Sequence, residues 1–342
     1  MACCVGFYST SIIDTHEHIE SIKKIPILLK ADDEHKISTT ILLPTPTETL
    51  TLNGDKSFTN YRENTDEIFK IVEAYPRRFI PFCTVNPLES DALQYVKHCI
   101  ERGGKGLKLY NGHSYYYDIF DIPLDSPRMA PIYAFAEKNK IPVLYHINIT
   151  KYIDELERVL QNYPELVVSV PHYMVSSINL DQVAYLLDKY PNLYTDVSFG
   201  SLEYMAAGFR RISKNPKKYE DFINTYSSRI LFGTDMVLSD SEAKNFAFMN
   251  NTIECYKSLL EKRNFECDLV ASYYKDRLNE NELCYSQCKP IEGEFCKSLK
   301  KKIDVNKKRY LEVIELNGLH LHPVVLEQIY KNNPLRFLNA NS

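Results

Sequence analysis

The chain has 342 residues, 44% hydrophobic and 25% charged, which excludes wholesale disorder and fibrous repeats and leaves room for one large core. Its formal net charge of −4 and pI near 6.2 count against an electrostatic nucleic-acid binder and favour a small-molecule substrate. No apolar run reaches the roughly 18 to 20 residues of a membrane helix, and Met1 to Ser11 lack a basic start followed by an apolar stretch, so no membrane association or export is expected.

In chain order, eight short β-branched runs alternate with helical patterns, the signature of repeated βα units around a parallel sheet. The runs are Ser11 to His18, Ile37 to Pro44, Arg78 to Asn86, Lys105 to Tyr110, Pro142 to His146, Leu166 to His172, Leu193 to Phe199 and Ile230 to Asp235. Before the fourth, Ser90 is placed to cap a helix carrying Leu93, Val96 and Ile100, which Gly103 and Gly104 end. Between the sixth and seventh, Val183, Leu186, Leu187 and Tyr190 form the apolar stripe of a helix that starts near Asp181 and stops at Pro191. Eight strands of this kind close naturally into a (β/α)8 TIM barrel, and no glycine-rich phosphate turn follows the first strand to suggest an open sheet. Residues 1–342 are read as a single barrel domain with a helical C-terminal excursion at about 256–310. A last helix at about Pro323 to Asn332 brings Val325, Leu326 and Ile329 back to the core. The lysines from Lys297 to Lys308 read as a solvated helix face.

In Asp14-Thr15-His16-Glu17-His18 the strand period of two puts Asp14, His16 and His18 on one face and Thr15 and Glu17 on the other. His146, His172 and Asp235 each close a later run, and in such a barrel these ends converge where active sites sit. Singly, each has a bland reading: the histidines as satisfied core groups, Asp235 as a helix cap. Together, several buried polar groups in one barrel mouth need compensation. A divalent metal provides it, and imidazole plus carboxylate suits Zn²⁺ with one position open for water.

The motifs Ile-Ile-Asp-Thr-His16-Glu-His18, Gly106-Leu-Lys108-Leu-Tyr110, Leu-Tyr-His146, Val-Pro-His172 and Leu-Phe-Gly-Thr-Asp235 resemble, in this order, those of the amidohydrolase superfamily. The closing Asn333-Pro-Leu-Arg336-Phe-Leu is similar to the segment that ends its amidohydrolase-related branch. The resemblance implies His16, His18 and His146 as metal ligands and Asp235 as ligand and proton shuttle. It implies His172 as ligand to a second metal or partner of the attacking water, so one or two divalent ions are expected. Lys108 shares an inward face with Gly106 and Tyr110, and three roles stay open for it: a carboxylated bridge between two metals, a cation for a substrate carboxylate, or a structural lysine. The loop Asn111-Gly-His113-Ser-Tyr115-Tyr116-Tyr117 leads towards Arg128, so Tyr110, His113 and Arg128 are candidate substrate contacts.

The leading expectation is hydrolysis of an amide, ester or lactone by metal-activated water. A non-oxidative decarboxylase of a small carboxylic acid on the same site is the alternative, and a non-catalytic metal-binding barrel is the third reading. A homo-oligomer is left open. The cysteines, nine in number, suit free thiols in a cytoplasmic protein. Cys284, Cys288 and Cys296, with Cys267 upstream, lack the paired spacing of a four-cysteine zinc site, and Cys3 and Cys4 are uninformative.

Overall fold

The first β-branched run folds as β1 (Ile12–His18), buried along its whole length, and β2 (Ile37–Leu43) lies parallel beside it. The computed structural model describes residues 11–51, 57–286, 288 and 293–339. Cys3, Cys4 and nearly all of the Met1 to Ser11 segment lie outside these residues.

The third run divides at Phe82 into β3 (Phe79–Pro81), which pairs with β2, and β4 (Cys83–Thr84), which pairs with β5 (Leu107–Gly112). At the break, Phe82 N donates to Leu42 O at 3.0 Å while Cys83 N donates to Gly106 O at 2.8 Å, so one run joins both neighbours. The parallel order then continues through β6 (Val143–Ile147), β7 (Val168–Ser169), β8 (Leu193–Asp196) and β9 (Ile230–Leu231). From the last run back to the first, Thr15 N donates to Phe232 O at 2.9 Å and Asp235 N to His16 O at 2.7 Å. These bonds carry the ring round from β9 to β1, and the eight expected runs occupy its eight positions.

Inside the ring, Ile41, Leu43, Phe82, Leu144, Tyr194 and Leu231 form a layer, as barrel interiors do when alternate residues of each strand point inward. Phe337, from the closing helix Asn333–Leu338, joins them, with its ring 5.7 Å from Tyr194 and 6.4 Å from Phe82.

Helices bury their apolar stripes on the outside. Leu180–Lys189 buries Val183, Leu186 and Leu187, as expected. In Ala92–Glu101 the cap position is held by Asp91, not Ser90, and the Asp91 carboxylate accepts from Arg62 at 2.8 Å instead of capping the helix. The excursion begins later than 256, because Phe246–Glu261 is a continuous helix whose Ile253, Tyr256 and Leu259 are buried. What projects is the helix pair Asp268–Ser286 and Glu294–Leu311, flanked by the antiparallel strands β10 (Asn264–Phe265) and β11 (Leu316–Asn317). The last helix expected at Pro323 to Asn332 is one turn of α-helix, Pro323–Glu327, followed by a wider turn at Gln328–Asn332.

The cysteines correct the free-thiol reading. Cys83–Cys99, Cys255–Cys267 and Cys288–Cys296 are disulfides, and Cys284, exposed, is the free cysteine among the described residues.

Candidate metal centre

The register of β1 against β2 is irregular between Asp14 and Glu17, so simple alternation does not hold there. His16 and His18 both reach the barrel mouth, yet Asp14 and Glu17, expected on opposite faces, share Thr234: its hydroxyl is 2.5 Å from Asp14 Oδ2 and 3.0 Å from Glu17 Oε2. At the end of β7 the chain enters four successive left-handed residues, His172, Tyr173, Met174 and Val175, with φ between 50° and 62°. Asp235 is left-handed as well, at φ 49°. Each such non-glycine residue costs roughly 1–2 kcal/mol, and strain of this kind concentrates at functional sites. The surrounding hydrogen bonds hold it: His172 N donates to Asp196 Oδ1 at 2.8 Å, and Asp235 N is pinned to His16 O.

Three imidazoles converge on the Asp235 carboxylate. His16 Nε2 and His18 Nε2 are 3.6 and 3.4 Å from its Oδ1, and His172 Nε2 is 3.4 Å from its Oδ2. The hydrogen bonds behind each ring fix its tautomer. His16 Nδ1 is 2.8 Å from the Asp196 carboxylate, which can only accept, so the proton sits on Nδ1. Thr45 donates its hydroxyl to Leu43 O at 2.7 Å and is 2.6 Å from His18 Nδ1, so it accepts from that ring. Ser198 donates to Asp196 Oδ1 at 2.6 Å and accepts from His172 Nδ1 at 2.9 Å.

All three Nε2 lone pairs therefore face a carboxylate that also offers lone pairs, and the buried Asp235 Oδ1 has no hydrogen-bond partner. Lys108 Nζ, 3.1 Å from His16 Nε2, meets one of these lone pairs, and a divalent cation among the groups would satisfy the others together with Asp235. Ligands at about 2.0–2.1 Å from a tetrahedral zinc stand roughly 3.3–3.4 Å from one another, close to the separations of the three rings from the two Asp235 oxygens. The donor set fits a divalent metal. His16, His172 and Asp235 have ligand atoms mutually within 4.8 Å, a set that His18 does not join.

Electrostatics agree with this reading. Burial, with Lys108 next in weight, drops the His16 imidazole to about 3, and burial drops His172 to about 4. His18 and His146 are pushed well below the ordinary histidine range by the same cause. The rings are thus neutral and available as ligands. Burial raises the Asp235 carboxyl to about 8, against the pull of Lys108, and a divalent cation beside it would draw it down again.

The remaining expected residues separate into two groups. Lys108 is buried with Nζ 3.1 Å from His16 Nε2, inside the cluster, and burial lowers its ammonium to about 8. Tyr110 donates to Pro44 O at 2.8 Å and stands 3.4 Å from His18 Nδ1. The His146 ring packs against His172 at 4.9 Å and His113 at 4.3 Å, beside the three-imidazole set, and His146 is more accessible than His16, His18 and His172. His113 turns its Nδ1 to the Tyr115 amide and caps the helix Ser114–Phe120. Arg128 is exposed and reaches Leu88 O at 3.5 Å, with no hydrogen bond or ion pair to the imidazole cluster among the described residues.

Sequence reasoning missed Asp196 and Thr45. Asp196 ends β8 but lies in the middle of the expected run Leu193 to Phe199, so its position did not mark it in the sequence. Its carboxyl is held below the ordinary range by His16, although burial opposes this. Gly200 is required beside it: at φ 71°, a Cβ there would stand 2.9 Å from Asp235 Oδ2.

A barrel with neutral imidazoles and a buried carboxylate at its strand ends defines a metal-dependent enzyme class. The family model described as Amidohydrolase matches residues 13–255, and the chain belongs to that family of metal-dependent enzymes. No curated protein matches. Among solved structures the chain is similar to an uncharacterized TIM-barrel protein from Bordetella bronchiseptica, at 16% identity and TM-score 0.52, covering 88% of this chain and 98% of that one. It is also similar to an amidohydrolase II, at 14% identity and TM-score 0.53, covering 96% and 99%. A third is 4-oxalomesaconate hydratase from Rhodopseudomonas palustris, at 14% identity and TM-score 0.51, covering 96% of each chain. At these identities the likeness establishes the fold, a TIM barrel.

Proposed function

We propose that the protein is a hydrolase that activates water at a metal held by His16, His18, His172 and Asp235, and cleaves an amide, ester or lactone bond of a small molecule. The observation that carries this is the unpartnered Asp235 carboxylate facing three imidazole lone pairs. Zinc suits the mixed nitrogen and oxygen donors, and His146 stands beside them as a further ligand or as the first ring a substrate meets. A divalent cation in this position supplies Lewis acidity and lowers the pKa of water from 15.7 to roughly 7.

The chain's own residues do the rest. Asp235 accepts the proton of the attacking water and returns it to the leaving group. Ser198 and Asp196 hold the His172 and His16 rings in the tautomer that leaves Nε2 free. Tyr110 and His113 line the approach from the fifth-strand loop. The same reading takes residues 1–342 as one catalytic unit.

Lys108 supports a second reading. A buried ammonium next to the cluster suits a substrate carboxylate, as a decarboxylase of a small carboxylic acid needs. The test is elemental analysis followed by a screen of lactones, amides and aromatic carboxylic acids, with products assayed for CO2. Hydrolysis without CO2 supports the first reading, and CO2 release the second. Clearly substoichiometric metal after refolding with zinc would sink both.

A further inference from the structure

The excursion carries charge out of keeping with the rest of the chain. The helix Glu294–Leu311 has seven lysines and arginines against Glu294 and Asp304, in a protein whose net charge is −4. Repulsion among so many like charges is tolerable on a fully solvated face, which is the ordinary reading of such a run. All seven are exposed, yet Lys301, Lys302 and Arg309 gather with Arg277 around one concavity.

Between this helix and Asp268–Ser286 lies a cleft of about 570 Å³. Arg277, Lys301, Lys302 and Arg309 line it, Tyr273 and Tyr274 form part of its wall, and Glu203 is its single carboxylate. Lys301 continues into a second depression shared with Lys297, Lys300 and the carboxylate of Asp304. Just outside the cleft, cations are neutralised in the usual way, since Arg210 and Lys214 both pair with Glu312, at 2.7 and 2.8 Å. Inside it, none of Arg277, Lys301, Lys302 and Arg309 has a carboxylate within ion-pair distance among the described residues. The Arg277 guanidinium lies 5.5 Å from the centroid of the Tyr273 ring, so the ring helps to hold it in place.

Four unneutralised cations around one concavity concentrate positive potential there, because the walls focus the field. A guanidinium offers paired donors to phosphate oxygens and ammonium groups offer point charge, a combination that recognises phosphate over a simple monoanion. The geometry points to a binding site in this cleft, distinct from the barrel mouth, for a soluble, multiply charged anion bearing phosphate groups. An anionic membrane surface shares that chemistry, but a concavity walled by tyrosines fits a small solute better than a flat sheet of headgroups.

Isothermal titration of the metal-loaded protein with inorganic tripolyphosphate tests this, with vesicles containing phosphatidylserine as a parallel arm. Saturable binding to tripolyphosphate is expected, weakening as salt is raised because the pairs are exposed to screening. The double variant Lys301→Glu, Lys302→Glu should weaken it at least tenfold. The control Lys138→Glu, Lys151→Glu makes the same change in net charge at exposed positions elsewhere and should leave it within about twofold. Binding should persist in His16→Ala, which separates this site from the metal centre. No saturable binding, equal loss in the control, loss in His16→Ala, or binding confined to the vesicles would overturn the assignment.

Discussion

Asp196 ties two of the three converging rings to one carboxylate. Its Oδ2 takes the His16 Nδ1 proton, while its Oδ1 accepts from the His172 and Ser198 amides and from the Ser198 hydroxyl. Groups behind metal-binding histidines typically contribute 10- to 100-fold in affinity, so Asp196→Asn should lower zinc affinity by about that factor, read by competition with a chelator. His16→Ala should abolish binding, and unchanged affinity in either variant would remove the metal assignment. Asp235→Asn keeps size and removes the base, so kcat should fall at least a hundredfold on a confirmed substrate while the fold remains, in line with the roughly 10²–10⁴ that acid-base groups contribute. Near-wild-type turnover would reduce Asp235 to a cap. For Lys108 the readings diverge in stoichiometry. A carboxylated bridge predicts two metals per chain and activity that rises with bicarbonate. A substrate cation predicts one metal and, for Lys108→Ala, a raised KM for an acidic substrate with little change in kcat.

The strands were legible because β-branched runs with polar residues at their ends are the direct imprint of a buried parallel sheet, and His16, His18, His172 and Asp235 were legible because each closes or lies near the end of such a run. Other features leave no such imprint. The left-handed path from His172 to Val175 contains no glycine to announce it, and Asp196 follows Thr195 in a run that looks like ordinary core. Ser90 and Asp91 are both competent caps, and tertiary pairing with Arg62 decided between neighbours. The closing helix shows how much one short element can carry. Asn333 is fully buried, with Nδ2 donating to Ser227 O at 2.6 Å and to Ile230 O at 2.8 Å, so it fastens the helix to the start of β9. Asn333→Ala strands both carbonyls and should cost about 1–3 kcal/mol, whereas Phe337→Ala empties part of the barrel interior and should cost about 3–5 kcal/mol. Chemical denaturation measures both. A cost for Phe337→Ala under about 1 kcal/mol would mean that the helix does not plug the barrel.

At the scale of the whole molecule, the sequence and the structure part over the cysteines. A large core needs no staples, so composition alone favours free thiols, and that was the basis for expecting a cytoplasmic protein. Pairing depends on which side chains the fold brings together, and this is not written in local spacing. Cys83 in β4 meets Cys99 on the following helix, both fully buried, so this pair fastens a barrel strand to the helix that covers it. Cys255 and Cys267 join the helix Phe246–Glu261 to the entry of the excursion, and Cys288 is joined to Cys296 in the first turn of the helix Glu294–Leu311. Each such link typically adds about 2–4 kcal/mol by restricting the unfolded chain. With nine cysteines and six of them paired, at most three thiols should react in denaturant without reductant, and nine after reduction. Reductant should also lower the midpoint of thermal unfolding. Nine reactive thiols in the unreduced protein would show that the pairs do not form where the protein works, and the free-thiol expectation would then stand.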